Sequence, residues 1–168
     1  MDKERFIHSF IFSPGSWYGE GKIVLNMVEE ELLFNTNWSV QDRDFAGKVA
    51  AAQEIQIQGL SDNMRNELTF YDFQQKTFCV DMENPNIGRI TGTGLFDDKT
   101  VAWEFRNNDM NFEGFETYAI QPDGSYLMRG EYVTSDQFRT RIEAHLTQRK
   151  NEVSSSDEEQ EGEGEEEP

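Results

Sequence analysis

The sequence has few of the residues that metal sites and disulfide frameworks require. Its 168 residues include a single cysteine, Cys79, and two histidines, His8 and His145. One cysteine excludes an intramolecular disulfide, and these three side chains cannot form a zinc site of the usual cysteine and histidine kind. We therefore expect no metal and no resident cofactor. Cys79, which lies between Phe78 and Val80, is interpreted as a buried structural thiol rather than a nucleophile.

Long apolar runs and an excess of basic residues are missing too. No stretch approaches the ~20 apolar residues of a membrane-spanning helix, so we expect no membrane insertion. The first residues, Met1-Asp2-Lys3-Glu4-Arg5, carry both signs of charge and do not resemble a secretory signal, which favours a cytoplasmic protein. The formal net charge of −18 argues against a phosphate-backbone footprint, so nucleic acid is not an expected partner.

The distribution of charge divides the chain near residue 150. Residues 151–168 hold nine acidic residues, no basic or aromatic residue and one aliphatic residue, Val153. Such a segment cannot bury enough apolar surface to offset its conformational entropy, so we predict a disordered acidic tail. We interpret the tail as a solubilising terminus, with contact to a basic protein partner as the alternative. Residues 1–150 contain every aromatic residue and are predicted to form one domain.

A period of two dominates this domain. Apolar side chains recur at alternate positions most clearly in residues 17–28, 32–40, 101–106, 126–133 and 138–146, and more weakly in residues 49–58, 66–73, 77–82, 89–96 and 112–121. Alternation with one apolar and one polar face is typical of half-buried antiparallel strands. Short turn signals such as Pro122-Asp123-Gly124 separate several of these segments. The pattern predicts an all-β protein of about ten strands.

A meander of this length exposes two strand edges unless the sheet closes on itself. We therefore predict a single antiparallel up-and-down β-barrel, with a two-sheet sandwich as the alternative. Phe6, Ile7, Phe10 and Ile11 recur at helical spacing before Pro14, which predicts a short N-terminal helical plug over one barrel end. Residues 49–54 have a helix-favouring composition, but the alternation that follows them favours a strand.

The opening Gly15-Ser16-Trp17-Tyr18-Gly19-Glu20-Gly21 resembles the G-x-W start of the calycin barrels, which include lipocalins and fatty-acid-binding proteins. It is closest to the opening of nitrobindin-like proteins. The resemblance covers residues 6–149 in architecture and residues 15–21 in motif. It implies that Trp17 closes the barrel floor, that the glycines let a coiled strand pass a crowded interior, and that a cavity holds a small apolar ligand.

Nitrobindin-like proteins hold a haem through a histidine near the last strand, and their ending resembles H-L-x-A-x-L-x-R. When this chain is aligned on Arg149, the histidine position falls on Ile142. His145 lies on the polar face of the predicted strand, because the apolar face carries Ile142, Ala144 and Leu146. We therefore do not expect haem, and His8 is interpreted as a surface residue of the plug.

The aromatic faces of the predicted strands supply the candidate ligand-binding residues. These are Trp38, Trp103, Phe105, Glu116, Tyr118, Met128 and Tyr132. They would line a ligand cavity or fill the core, and the narrowness of most barrels favours a filled or small interior. If its face points inward, Glu116 is a buried carboxyl group that needs a partner, has a raised pKa and could donate a proton. Thr36 shares an apolar face with Phe34 and Trp38 in the same way.

Three functions remain open. The first is a non-catalytic module that binds a small hydrophobic or amphipathic ligand inside the barrel, and we favour it. The second is an enzyme on the same scaffold, an isomerase, cyclase or chromophore lyase that uses Glu116 or a tyrosine as its acid–base group. The third is an acidic adaptor or chaperone that works through its surface and tail. The barrel resemblance supports the first, but a fold alone does not fix a function.

Overall fold

The computed structural model describes residues 8–106, 108–133 and 139–149. The predicted acidic tail, residues 151–168, lies outside the described residues, as do residues 1–7, which include Phe6 and Ile7 of the predicted plug. The disordered, solubilising tail and its alternative, contact with a basic protein partner, therefore both stay predictions. No helix in the described ranges is long and apolar enough to cross a membrane.

Ten strands make up the described part of the chain. They are β1 (Gly15–Leu25), β2 (Glu31–Val40), β3 (Val49–Ile57), β4 (Asn63–Tyr71), β5 (Thr77–Asn84), β6 (Gly88–Phe96), β7 (Thr100–Phe105), β8 (Glu113–Ile120), β9 (Tyr126–Val133) and β10 (Arg139–Arg149). The predicted strands are confirmed, including the ambiguous segment that begins at Val49. The first strand ends earlier than expected, so Met27 lies in the following turn with 71% of its side chain exposed.

The sheet is a closed barrel in which each strand pairs antiparallel with its neighbours in sequence. Closure comes from β1 and β10, which pair from Ser16 opposite Arg149 to Leu25 opposite Thr140. This pairing removes both edges that an open meander would expose. The all-β, up-and-down barrel is therefore confirmed, and the two-sheet sandwich is excluded.

Burial alternates along the strands, as the period of two predicts. In β9, Tyr126, Met128 and Gly130 are buried, whereas Leu127 and Arg129 are exposed. The strands turn their apolar faces to one shared interior, which contains the three tryptophans Trp17, Trp38 and Trp103. No side-chain N–H of these indoles has a hydrogen-bond partner among the described residues. Each of these rings meets at least one other aromatic ring edge to face, a geometry that aromatic pairs prefer.

The glycine-rich opening lets β1 approach β10 closely. Gly21 lies opposite Ala144. A Cβ built on Gly21 would lie 2.7 Å from the Ala144 Cα and would overlap the carbonyl oxygen of Glu143. A side chain at this position would therefore force the closing strands apart.

The predicted helical plug is not found among the described residues. From His8 onward the lead forms a single turn, in which the Ser13 N–H donates to the Ser9 carbonyl oxygen over 3.0 Å. Ile11 has a φ of 62°, and this left-handed conformation interrupts the run of right-handed residues that a helix needs. Phe10 and Ile11 are nonetheless completely buried. The turn therefore inserts apolar side chains into the barrel without continuing as a helix.

Replacement of Phe10 by alanine tests this role of the lead turn. Phe10→Ala removes a fully buried ring from the interior and is expected to lower the free energy of unfolding by about 3–5 kcal/mol. Phe45→Ala is the matched control, because the Phe45 side chain is fully exposed in the loop after β2 and should change stability by less than about 0.5 kcal/mol. Urea denaturation followed by tryptophan fluorescence measures both. If both substitutions changed the free energy of unfolding by the same amount, the packing of Phe10 in the barrel interior would be contradicted.

Candidate functional site

The barrel interior is filled with aromatic rings at one end. This end holds the lead turn and the start of β1. The Phe10 ring lies 5.4 Å from Trp17, 5.1 Å from Trp38 and 4.8 Å from Tyr118, measured between ring centroids. Tyr126 packs against the same ring at 5.6 Å. Trp17 therefore closes this end, as the opening motif implied, with Phe10 packed against it.

The opposite half of the barrel is hollow. A cavity of about 420 Å³ opens toward the end that carries the β1–β2, β3–β4, β5–β6 and β7–β8 connections. Its walls are mainly apolar, with Ile23, Leu25, Leu32, Phe34, Ile55, Ile57, Met82, Ile87, Phe112, Met128, Ile142, Ala144 and Leu146 among the lining residues. This volume lies within the ~300–1,000 Å³ range of small-molecule sites. The expectation of a filled or small interior thus holds for one half of the barrel only.

Five of the seven candidate ligand-binding residues line this cavity. They are Trp38, Glu116, Tyr118, Met128 and Tyr132. The other two, Trp103 and Phe105, are buried in the core and are not among the lining residues. All seven residues lie on inward faces of their strands, but the period of two does not tell which part of such a face lies beside the hollow half.

Glu116 is the centre of the polar part of this wall. The Tyr118 hydroxyl donates a hydrogen bond to Glu116 Oε1, and the Tyr132 hydroxyl donates to Glu116 Oε2. Each carboxyl oxygen therefore has its own phenol donor. The side chain is half-buried, and it lines the cavity together with both tyrosines. The sequence could not tell whether this face points inward, and the structure turns it toward the cavity.

Strand register brings these three groups together. Glu116 lies opposite Gly130, and Tyr132 lies opposite Gly114, on the paired strands β8 and β9. A Cβ on Gly114 would overlap the Tyr132 ring and the Glu131 carbonyl oxygen. The Tyr132 ring thus packs over a glycine, and this close approach lets its hydroxyl reach a carboxyl group on the neighbouring strand.

Burial dominates the electrostatics of this cluster. It raises the pKa of the Glu116 carboxyl, because the charged form loses its hydration, and the two tyrosine hydrogen bonds oppose that rise only in part. Burial and the neighbouring carboxylate raise the pKa of Tyr118 and Tyr132 well above their usual value. Both phenols therefore stay protonated in neutral solution and remain hydrogen-bond donors to Glu116.

A second polar feature, which the sequence analysis missed, follows β2 to β5. Gln53 Nε2 donates to Thr36 Oγ1 over 3.2 Å, and Asn66 Nδ2 donates to Gln53 Oε1 over 3.0 Å. Asn84 Nδ2 then donates to Asn66 Oδ1 over 2.8 Å. All four residues line the cavity, and we call them the amide ladder. The sequence analysis placed Thr36 on an apolar face. The same alternation of side chains along β3 and β4 would have placed Gln53 and Asn66 on inward faces.

The amide ladder and Glu116 lie on opposing walls. In the ring of ten strands, β3 is five strands away from β8, and β4 is five strands away from β9. The cavity therefore presents an acidic group on one side and amide groups on the other, separated by aliphatic side chains. This arrangement suits an amphipathic molecule with polar groups at two separated positions.

Apolar side chains also surround the mouth of the cavity. Met27, Leu60 and Met110 lie in three different connections at the open end and are exposed by 71%, 56% and 50%. Leu60 and Ile87 contribute to the cavity wall itself. An apolar ligand would therefore meet apolar surface before it enters the barrel.

The remaining candidate residues lie away from the cavity. His145 is exposed on the outer surface, as its parity predicted, and its Nε2 lies 2.9 Å from Ser125 Oγ. His8 is half-buried and contacts the Tyr126 hydroxyl and the Asp97 carbonyl oxygen, so it is more than a surface residue. Cys79 is half-buried on the outer face of β5, where the strand parity turns it away from the core, and the prediction of a buried thiol is wrong. The expectation that no haem binds stays a prediction.

The fold is similar to that of the lipocalin-like, or calycin-like, closed antiparallel barrels. A solved structure that shares it is the S-type phycobiliprotein lyase CPES from Guillardia theta, with a TM-score of 0.61. The match covers 85% of this chain and 92% of the lyase at 11% sequence identity, so it establishes the fold alone. No protein-family model matches the sequence, and no curated protein matches it. The specific relation to nitrobindin-like proteins stays a prediction.

Replacement of Glu116 by glutamine tests the electrostatics of the cavity wall. The folded protein raises the pKa of Glu116, so this side chain contributes fully to stability below the ordinary carboxyl pKa. The contribution is lost as pH rises through the pKa that Glu116 has in the folded state. Glutamine cannot ionise. As pH rises above about 4, the usual pKa of a glutamate, the free energy of unfolding of Glu116→Gln should therefore increase relative to that of the parent protein.

Urea denaturation at a series of pH values from acid to neutral measures this difference. A stability difference between the two proteins that is the same at every pH would contradict the raised pKa of Glu116.

Proposed function

We propose that this protein is a binding module that holds a small, largely apolar and amphipathic molecule in the hollow half of its barrel. The observation that carries the proposal is the open cavity of about 420 Å³, whose aliphatic walls include two opposed polar features. The proposal assigns no chemical step to the site. Binding of a small hydrophobic or amphipathic ligand is also what the calycin resemblance of residues 15–21 implies.

The division of the interior supports this function. Rings of Phe10, Trp17 and Tyr126 pack together at one end, which gives the bound molecule a rigid floor. The other end is open and carries an apolar rim. A ligand would therefore enter from the rim and stop above Trp38 and Tyr118, which line the cavity and also contact the filled half.

A cavity-filling substitution tests the proposal. N-phenyl-1-naphthylamine is a neutral apolar probe whose fluorescence rises in apolar surroundings, and we expect it to bind the parent protein. Ile55→Trp should weaken this binding by about tenfold or more, because Ile55 lines the cavity and the larger ring takes up ligand space. A tenfold loss of affinity corresponds to about 1.4 kcal/mol. This is less than the free energy of transferring one large apolar side chain from water to an apolar environment.

Leu95→Trp is the matched control, because Leu95 is 62% exposed on the outer face of β6. This control should bind the probe as the parent does, and a urea unfolding curve of each variant verifies the fold. If the parent does not bind the probe, or if both variants lose binding equally, the proposed site is wrong.

An enzyme on the same scaffold is the second candidate, and the likeness to a phycobiliprotein lyase favours it. Under this hypothesis the protein is a chromophore lyase, isomerase or cyclase in which Glu116 or a tyrosine transfers a proton. The raised pKa of Glu116 suits a general acid. A turnover that disappears in Glu116→Gln while the variant still binds the neutral probe would favour this candidate over the non-catalytic module.

A further inference from the structure

Glu116 is the one acidic residue that lines the cavity in the described part of the chain. The ion pairs formed by the described residues all involve other carboxylates, such as Glu131 with Arg139 on the outer surface. No described lysine, arginine or histidine lies in the cavity wall. Buried carboxylates are normally paired with a cation or strongly hydrogen-bonded. The protein thus supplies two phenol donors to Glu116 but no positive charge.

The hydrogen bonds of Glu116 leave room for a further partner. An ionised carboxyl group has about four acceptor positions on its two oxygens. Tyr118 occupies one position on Oε1, and Tyr132 occupies one position on Oε2. The remaining acceptor positions belong to a group that lines an open cavity, so a ligand can reach them.

We infer that the natural ligand is a cationic amphipath, an apolar molecule with a protonated nitrogen that donates hydrogen bonds to Glu116. This inference rests on the proposed function. The nitrogen completes the environment of the carboxylate, while the apolar part contacts the surrounding side chains, such as Met128 and Ile142. Charge-assisted hydrogen bonds of this kind are about twice as strong as neutral ones.

Glu116 is already half-buried in the folded protein, so binding removes less water from the carboxylate than from the cation. A neutral alcohol of the same length makes no ionic contact, and a carboxylate of the same length meets a like charge. The site therefore binds a cationic head group most tightly, a neutral one less tightly and an anionic one least. It also disfavours highly polar molecules such as sugars, because most of its wall offers them no hydrogen-bond partner.

The amide ladder extends this description of the ligand. Gln53, Asn66 and Asn84 each use one amide N–H within the ladder, and each amide group has a second. All three residues line the cavity, and Gln53 and Asn66 do so from the wall opposite Glu116 and Tyr132. An acceptor such as a carbonyl oxygen, placed across the molecule from the charged nitrogen, would match them.

Three probes of equal chain length test the charge preference. Decylamine, decan-1-ol and decanoate, each below its micelle concentration, are compared as competitors that displace N-phenyl-1-naphthylamine from the parent protein in about 0.15 M salt, which screens the outer surface. We expect decylamine to compete at least about tenfold more strongly than decan-1-ol, and decanoate to be the weakest. Equal competition by decylamine and decan-1-ol would overturn the inference.

Two variants assign the preference to one carboxyl group. Glu116→Gln should reduce competition by decylamine about tenfold or more and change that of decan-1-ol by less than about threefold. Glu113→Gln is the matched control, because Glu113 is exposed on the same strand, and it should behave as the parent does. Equal losses in both variants would indicate that decylamine responds to the overall negative charge, and would overturn the inference.

The pH dependence of competition provides a measurement that needs no variant. Apart from Glu116, the titratable groups that face this carboxyl group are Tyr118 on its own strand and Tyr132 on β9, and both stay protonated in neutral solution. An alkylamine remains charged well above neutral pH, with a pKa near the ~10.4 of lysine. Competition by decylamine should therefore strengthen as pH rises and Glu116 ionises, whereas that of decan-1-ol stays constant.

These outcomes separate the inference from the proposed function. If the neutral probe binds and the head groups do not differ, the module binds ligands without a preference for cations. If the neutral probe itself does not bind the parent protein, the proposed function fails.

Discussion

The pairing of β1 with β10 is the constraint on which the rest of the structure depends. It joins the first and last strands over ten register positions, from Ser16 opposite Arg149 to Leu25 opposite Thr140. Closure fixes which side chains face inward on every strand, because a slip of one residue would turn each inward face outward. The close approach at Gly21 and Ala144 lets this seam form.

Once the barrel is closed, its interior must be filled by side chains or left open to a ligand. This protein does both, in separate halves. Phe10 inserts among the tryptophans and tyrosines of one half, and no comparable segment enters the other half in the described ranges. The open half keeps a carboxyl group and an amide ladder that an efficient hydrophobic core would exclude. Their presence in an otherwise apolar wall is more easily explained by recognition than by stability.

Much of the fold could be predicted from the sequence, because the period of two is a direct consequence of strand geometry. The number of strands, their approximate bounds and the closed barrel all followed from it. Parity placed Glu116 and Thr36 on the apolar faces of their strands, but only the structure shows that the Glu116 face points inward. The lead turn was mispredicted, because helical spacing of apolar residues does not reveal that Ile11 adopts a left-handed conformation.

The site was harder to predict, because its position depends on distances along the barrel axis rather than on parity. Trp103 and Phe105 face inward like Trp38, yet they lie in the core and not in the cavity wall. The amide ladder depends on the register of four successive strands, which local sequence patterns do not give. The packing of Tyr132 over Gly114 likewise appears only when β8 and β9 are paired.

The central claim is that the hollow half of the barrel is a ligand site, and methyl NMR tests it most directly. Met82 and Met128 line the cavity, whereas Met27 and Met110 lie exposed at the rim. With methionine methyl groups labelled and N-phenyl-1-naphthylamine added, the account predicts intermolecular NOEs from the probe to the methyl groups of Met82 and Met128. NOEs confined to Met27 and Met110, or no NOEs at all, would contradict it.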